Sequence, residues 1–245
     1  MPTIIKGQPT SAEIIAQLKA ENRPVCVSMS LGKDAIACEL ALAEAGVETV
    51  LAYMYPVPPD REGRLLDFLE DDIAMLEDKL GKRIHRYPHP FIFRALNNFV
   101  FQPPERLALI EAAQFPTPDY ETLWYLIRQD LGLEEDTWIA DGVRAADSIV
   151  RRASFVRHGV MKPATRKVSP IADYLKAEVL DIINRHGISL PVDYEWFGRS
   201  FDGLDYRFLG PLREHAPADY QRVLDWFPLA ELEIFRHNMM TKENS

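Results

Sequence analysis

Cysteine is nearly missing. The 245 residues hold two, Cys26 and Cys38. Two are too few for a disulfide framework, they do not form a CxxC pair, and they cannot supply the four thiolates of a typical iron–sulfur cluster. No iron–sulfur cluster is expected. Long apolar runs are missing too, so no membrane span is expected. The opening "MPTIIKGQPTSAEIIAQL" lacks the basic-then-apolar layout of a secretion signal, which predicts a cytoplasmic protein. Basic charge is in deficit: 28 Lys and Arg stand against 37 Asp and Glu, a net −9. That excludes a surface that coats nucleic acid generally. Glycine-rich signatures are also missing. Neither the dinucleotide pattern G-x-G-x-x-G, nor the Walker pattern G-x-x-x-x-G-K-S/T, nor the nucleophile elbow G-x-S-x-G occurs. His85 and His89 are split by Pro88 and have no third ligand nearby, so no zinc site is expected.

What is present reads as a globular α/β chain, with 47% hydrophobic residues. Thr10-Ser11-Ala12-Glu13 has capping-box spacing before an amphipathic run. Strands are predicted at 25–28, 47–55, 84–87 and 137–140, with a last short one at 168–170. Helices are predicted at 34–45, 63–80 and 174–186, closed by Gly46, Gly81 and Gly187. A proline-punctuated helical middle runs from 91 to 131, and a helix is expected from about 218 to 238. Strands alternating with helices imply a Rossmann-like parallel sheet of about five strands flanked by helices. The expected organisation is an α/β domain over 1–195 with a helical C-terminal extension over 196–245 packed on it.

Two loops sit where such folds gather ligands, at the carboxyl ends of strands. One is Ser28–Asp34, in "CVSMSLGKDAIACEL"; the other runs from Asp141 to Asp147. In the first loop, unpaired N–H groups at the start of the following helix favour an anion. Ser28 and Ser30 add hydroxyls, Lys33 a point charge, and Asp34 a cap or a carboxylate for Mg²⁺. A plain capped turn is the alternative. Seven basic residues crowd the stretch from Arg144 to Lys167 against one acid, Asp147. That is either a local anion site or a solvated basic face.

"SLGKDA", Ser30 to Ala35, resembles the PP-loop of the adenine-nucleotide α-hydrolase superfamily, which runs Ser-Gly-Gly-Lys-Asp-Ser. Leu31 stands for its first glycine and Ala35 for its final hydroxyl. "DGVRAADSIVRR", Asp141 to Arg152, resembles the Gly-Ile-Arg…Ser…Arg segment of the phosphoadenosine phosphosulfate (PAPS) reductase branch. "VSPIADYLKAEVLDIINRHGISLPVDY", Val168 to Tyr194, is similar to that branch's Pro-Leu-x-Asp-Trp…Ile-Pro segment. The three blocks cover about residues 20–195.

The resemblance implies a nucleotide-binding sheet with ATP and Mg²⁺ as cofactors. It implies cleavage of ATP between the α and β phosphates to activate an unknown second substrate. Lys33, Asp34 and Arg144 would be catalytic, with Asp34 on the metal. Ser28, Ser30, Leu31, Gly32, Lys33, Asp34, Tyr53, Met54, Gly142, Arg144 and Arg151 would line the nucleotide. The branch's reductases use a cysteine near the C-terminus, and no cysteine follows Cys38, so PAPS reduction is the lesser expectation. The two loop departures leave a second reading: an accessory protein that holds nucleotide without turnover. Some relatives act on nucleic acid, so the 144–167 segment is a candidate contact for a nucleic acid or nucleoprotein complex. The aromatic stretch 193–208 is read as a lid, as a subunit contact in a homodimer, or as packing for the C-terminal helices.

Overall fold

A computed structural model describes residues 3–243. In chain order the elements are α1 (Ser11–Glu21), β1 (Val25–Ser28), α2 (Lys33–Glu44), β2 (Thr49–Tyr55), α3 (Asp67–Leu80) and β3 (Ile84–Pro88). These are followed by α4 (Pro90–Asn97), α5 (Pro104–Ala113), α6 (Tyr120–Asp130), β4 (Ile139–Ala140), a 3₁₀ turn at Ala145–Asp147 and α7 (Ile149–His158). The chain continues through β5 (Met161–Lys162), β6 (Lys167–Val168), α8 (Lys176–Arg185), α9 (Asp193–Phe197), α10 (Tyr206–His215) and α11 (Pro217–Trp226). A 3₁₀ turn at Pro228–Ala230 and α12 (Glu231–Glu243) close it. No helix among the described residues is long and apolar enough to cross a membrane.

The sheet has the order β3-β2-β1-β4-β6-β5. β1 runs parallel to β2 and β4, and β4 parallel to β6; β5 is antiparallel to β6. This is the expected α/β Rossmann-like class, with one more strand than predicted. β1 is buried along Val25, Cys26 and Val27 because both its edges are paired and helices cover the sheet. α2 is buried continuously from Ala35 to Leu42, the mark of a helix enclosed on all sides. Its one buried charge, Glu39, is met by Lys82 Nζ at 2.7 Å and by Thr49 Oγ1 at 2.9 Å. α1 starts on the predicted capping box: Glu13 N–H donates to Thr10 Oγ1, and Thr10 N–H to Glu13 Oε2.

The chain divides into two compact units. The first is Met1–Met54, Met75–Tyr87 and Trp124–Leu190. The second is Tyr55–Ala74, Pro88–Leu123 and Pro191–Ser245. The first carries the sheet.

Several boundaries differ from the sequence expectation. The helix predicted from Gly63 begins at Asp67, because Asp60 Oδ1 accepts from the N–H groups of Glu62 and Arg64 and holds that stretch as a turn. The N-terminus of α3 is capped from afar: Asp67 and Phe68 donate to the Asp219 carboxylate at 2.7 and 3.1 Å. The single helix predicted over 218–238 is two, broken at Pro228, whose ring cannot continue an i→i−4 ladder. The aromatic stretch holds α9 and the start of α10. Phe68, Trp196, Phe197, Phe201 and Phe208 form a ring cluster inside the second unit, with centroids 5.4–6.2 Å apart.

Beside that cluster lie two buried acids, Asp72 and Asp193, 5% and 1% exposed. Val192 N–H donates to Asp72 and Phe201 N–H to Asp193, at 3.0 and 2.8 Å. Each acid leaves its other oxygen buried with no hydrogen-bond partner. Burial, with the Asp193 charge adding to it, pushes the Asp72 carboxyl up to about 7; burial pushes Asp193 up to about 6. Both folded values lie above the ordinary 3.8, so between roughly pH 4 and 7 the folded chain binds more protons than the unfolded one. These two groups therefore contribute stability that is present in full below pH 4 and lost as the pH rises through 6 to 7. Asp72→Asn keeps an acceptor for Val192 and cannot ionise. Its urea midpoint is expected to exceed wild type at pH 8 and to converge on it as the pH falls below about 4; equal midpoints at pH 8 would disprove the assignment.

Candidate functional site

β1 is the strand at which the sheet reverses direction. β2 and β3 lie to one side of it, β4 and beyond to the other. At such a switch point the loops leaving two neighbouring strands part and open a crevice at their carboxyl ends. The loops leaving β1 and β4 are the two predicted from sequence. The register Val27↔Ala140 aligns the ends of their strands.

The first loop is tight. Met29 N–H donates to Ala52 O at 2.9 Å, carrying the β1–β2 pairing one residue past Ser28. Ser30 is exposed, and its Oγ accepts from Gly32 N–H at 3.4 Å. Leu31 has φ +58°, a left-handed backbone, and is 1% exposed. That conformation costs a non-glycine residue about 1–2 kcal/mol. Burying a leucine returns about 1.5–3 kcal/mol, so the side chain outweighs the strain. The backbone keeps a shape that glycine would adopt freely, and the Leu31 side chain is buried rather than projecting over the open end of the loop. Gly32 is the N-cap of α2 in extended conformation, with no side chain to cap the helix. The N-cap itself therefore puts no side chain over the first turn of α2.

The second loop docks onto the first at Gly142. A Cβ there would lie 2.4 Å from the Asp34 carbonyl carbon, 2.5 Å from its oxygen and 2.7 Å from Ala35 N. Only glycine lets the two backbones approach so closely. The docking brings five charges into one row of alternating sign. Lys33 Nζ meets Asp34 Oδ2 at 2.6 Å, and Asp34 Oδ1 meets Arg144 Nε at 2.8 Å. Arg144 Nη2 meets Asp147 Oδ1 at 2.6 Å, and Arg151 Nη1 meets Asp147 Oδ2 at 2.6 Å. The Arg144 side chain is 5% exposed and that of Arg151 51%. The Asp34–Arg144 contact is an ion pair by distance but not an aligned hydrogen bond, since Asp34 Oδ1 and Arg144 Nε are each buried without a hydrogen-bond partner.

Ser28, Ser30, Leu31, Gly32, Lys33, Asp34, Gly142 and Arg144 are thus gathered at one place. Arg151 reaches it only through Asp147. Tyr53 and Met54 follow Ala52, the register partner of Ser28, so they lie at the end of β2 by strand register alone. Tyr53 is 4% exposed.

No family model matches the sequence, and no curated protein matches it. Among solved structures, the U34-tRNA thiolase NcsA from Methanococcus maripaludis, with its 4Fe-4S cluster, aligns over 90% of this chain and 79% of its own. The identity is 12% and the TM-score 0.45. A likeness of that strength carries no argument about chemistry.

Three further groups shape the site, two carboxylates and one backbone carbonyl, and the sequence assigns none of them a role there. Asp147 joins the two arginines. Asp141, at the tip of β4, accepts from Ser169 Oγ at 2.7 Å and from Val143 N–H at 3.1 Å, which shapes the second loop. Burial raises the Asp141 carboxyl above its usual range, and the Ser169 bond partly opposes this. Tyr174 offers its carbonyl to Arg144 Nη1 at 3.5 Å. The basic segment that contains these arginines is largely helical. α7 is exposed except at Phe155 and its neighbourhood, with Ile149 88% and Val150 77% exposed. Cys26 and Cys38 are buried, and burial pushes Cys26 up to about 12 and raises Cys38 well above its ordinary value. Neither is available as a thiolate. His89 caps α4, its Nδ1 accepting from Phe91 N–H at 3.0 Å, while Nε2 meets Tyr120 Oη at 2.9 Å.

Proposed function

We propose that this chain binds ATP at the β1–α2 loop and cleaves it between the α and β phosphates, releasing AMP and pyrophosphate as it activates a second substrate. On this reading it is a PP-loop protein of the PAPS-reductase-like branch. One observation carries the reading: Gly142 packs against the Asp34 backbone and delivers Arg144 onto Asp34, so that Lys33, Asp34 and Arg144 share one place at the sheet's switch point.

In this reading the N–H groups at the start of α2 and the cations Lys33 and Arg144 bind phosphate oxygens, and catalysis is positioning plus charge stabilisation. No group of three or more His, Cys, Asp or Glu side chains that could hold a metal exists among the described residues. The donor set fits Mg²⁺ only as one carboxylate, Asp34, whose Oδ1 is buried with no hydrogen-bond partner. Phosphate oxygens would complete the shell, as is common for Mg²⁺ sites. Bound there, the metal would supply neutralisation of phosphate charge. Thiol-dependent reduction is not supported, since both cysteines are buried and protonated.

A second reading, nucleotide held without turnover, draws on Asp34. Both of its oxygens already face cations, so a metal must compete for them. Incubation with Mg²⁺ and α-labelled ATP separates the readings. AMP and pyrophosphate that vanish in Lys33→Ala and Asp34→Ala support cleavage, and binding without product supports the second reading. If neither ATP nor PAPS binds, the nucleotide assignment is wrong.

A further inference from the structure

Asp147 is the member of the charge row that both arginines grip. Its oxygens take different guanidinium groups: Oδ1 accepts from Arg144 Nη2 and Oδ2 from Arg151 Nη1, at 2.6 Å each. Two arginines converging on one small anion is a geometry suited to a tetrahedral oxyanion. What they hold does not satisfy them. Arg144 is buried, yet its Nε has no aligned acceptor and its Nη1 reaches Tyr174 O only at 3.5 Å. Asp34 Oδ1, 2.8 Å from that Nε, is also buried without a hydrogen bond. Unmet polar atoms in a buried site call for an explanation, and a missing ligand group is one. The outer pair is different. Arg151 is 51% exposed, so its bond to Asp147 is a solvated ion pair that changes partner at little cost. Lys33, Arg144 and Arg151 against Asp34 and Asp147 leave a single net positive charge. The protein's own carboxylates already neutralise most of the receptor.

Resting on the nucleotide reading above, we propose that Asp147 is an internal stand-in for the ligand's anionic group. In the ligand-free protein it occupies the Arg144–Arg151 grip. A phosphoryl or sulfonyl oxyanion takes the grip over. Arg151 swings from Asp147 to the ligand, and Arg144 gains the aligned acceptor its Nε lacks. Affinity is then set by competition with the protein's own carboxylate. A carboxylate that only orients Arg144 would have the opposite signature, because neutralising it would weaken binding.

Calorimetric titration of wild type, Asp147→Asn and Arg151→Gln with inorganic pyrophosphate, sulfate and ATP tests this. Asparagine keeps the side chain's shape and an acceptor for Arg144 N–H. Asp147→Asn is expected to bind pyrophosphate and ATP about five-fold tighter than wild type. Arg151→Gln is expected to bind them several-fold more weakly with an unchanged thermal midpoint. The sulfate arm shows whether the grip prefers a sulfonyl or a phosphoryl group. Equal or weaker ATP binding by Asp147→Asn, with wild type binding normally, makes Asp147 an orienting residue; the inference is overturned and the nucleotide reading stands. If no protein binds ATP or pyrophosphate, the nucleotide reading falls and this inference with it. Should Asp147→Asn fail to fold, Arg151→Gln decides alone, since unchanged affinity there overturns the swing.

Discussion

Replacing Gly142 with alanine is expected to cost the protein about 3 kcal/mol or more of unfolding free energy and to abolish anion binding. The added methyl would sit 2.4–2.7 Å from three backbone atoms of Asp34 and Ala35. Those atoms belong to the first turn of α2, a helix enclosed on every side, so they cannot turn away as a flexible side chain would. Close-packed interiors yield by moving whole elements. Here the element free to move is the loop after β4, and its retreat carries Arg144 off Asp34. Overpacking typically costs 1–3 kcal/mol, and this site belongs at or above the top of that range. Urea denaturation measures the first effect and an ATP titration the second. An alanine variant with a wild-type midpoint would show that the two backbones do not touch.

The second large effect is expected at Arg144. Arg144→Met removes the cation shared by Asp34 and Asp147 while keeping much of the side chain's volume. Breaking a buried ion pair by deleting one partner costs about 3–5 kcal/mol, because the partner charge stays behind. Asp34 and Asp147 are 26% and 16% exposed at their side chains, and each retains one cation. A loss near 3 kcal/mol is therefore expected, at the low end of that range. Arg144→Lys is not expected to rescue it. One ammonium cannot serve two carboxylates and the Tyr174 carbonyl from a planar fork. Adding Asp147→Asn to Arg144→Met removes one stranded charge and is expected to recover part of the loss. Additive losses in the double variant would show that the two side chains are not coupled.

The part of the molecule around the site was legible because its signals are local. The apolar run at 25–28, the helix 34–45 closed by Gly46 and the strand ending at Tyr55 all come from short-range pattern and turn chemistry. The meeting of the two loops followed from topology, since strands alternating with helices force a parallel sheet. What escaped notice depends on residues far apart in sequence. The start of α3 is fixed by Asp219, over 150 residues downstream, and no window around 63–67 contains that cap. α7 was invisible because it buries little besides Phe155, leaving no apolar period to read. β5 and β6 have two residues each, below the length at which alternation means anything. In the sequence Asp147 is the one acid of a basic stretch that reads either as a local anion site or as a solvated face. Only the fold shows that it sits between two arginines. Leu31 stands for the loop's first glycine, and no local pattern in the sequence tells that its side chain is buried.

The central place of β1 has a consequence for how the chain is made. β1 pairs with β4 through Cys26↔Ile139 and Val27↔Ala140, over 100 residues apart. A ribosome adding about 5–20 residues per second needs on the order of ten seconds to supply β4 after β1 has emerged. During that interval one edge of β1, whose Val25, Cys26 and Val27 are buried in the finished fold, has no partner, and α2 lacks the α8 face that later covers it. An unpaired apolar edge recruits other strands. The nascent chain thus carries an open apolar edge until residue 140 is synthesised, and the proposed anion site cannot form before the loop after β4 exists.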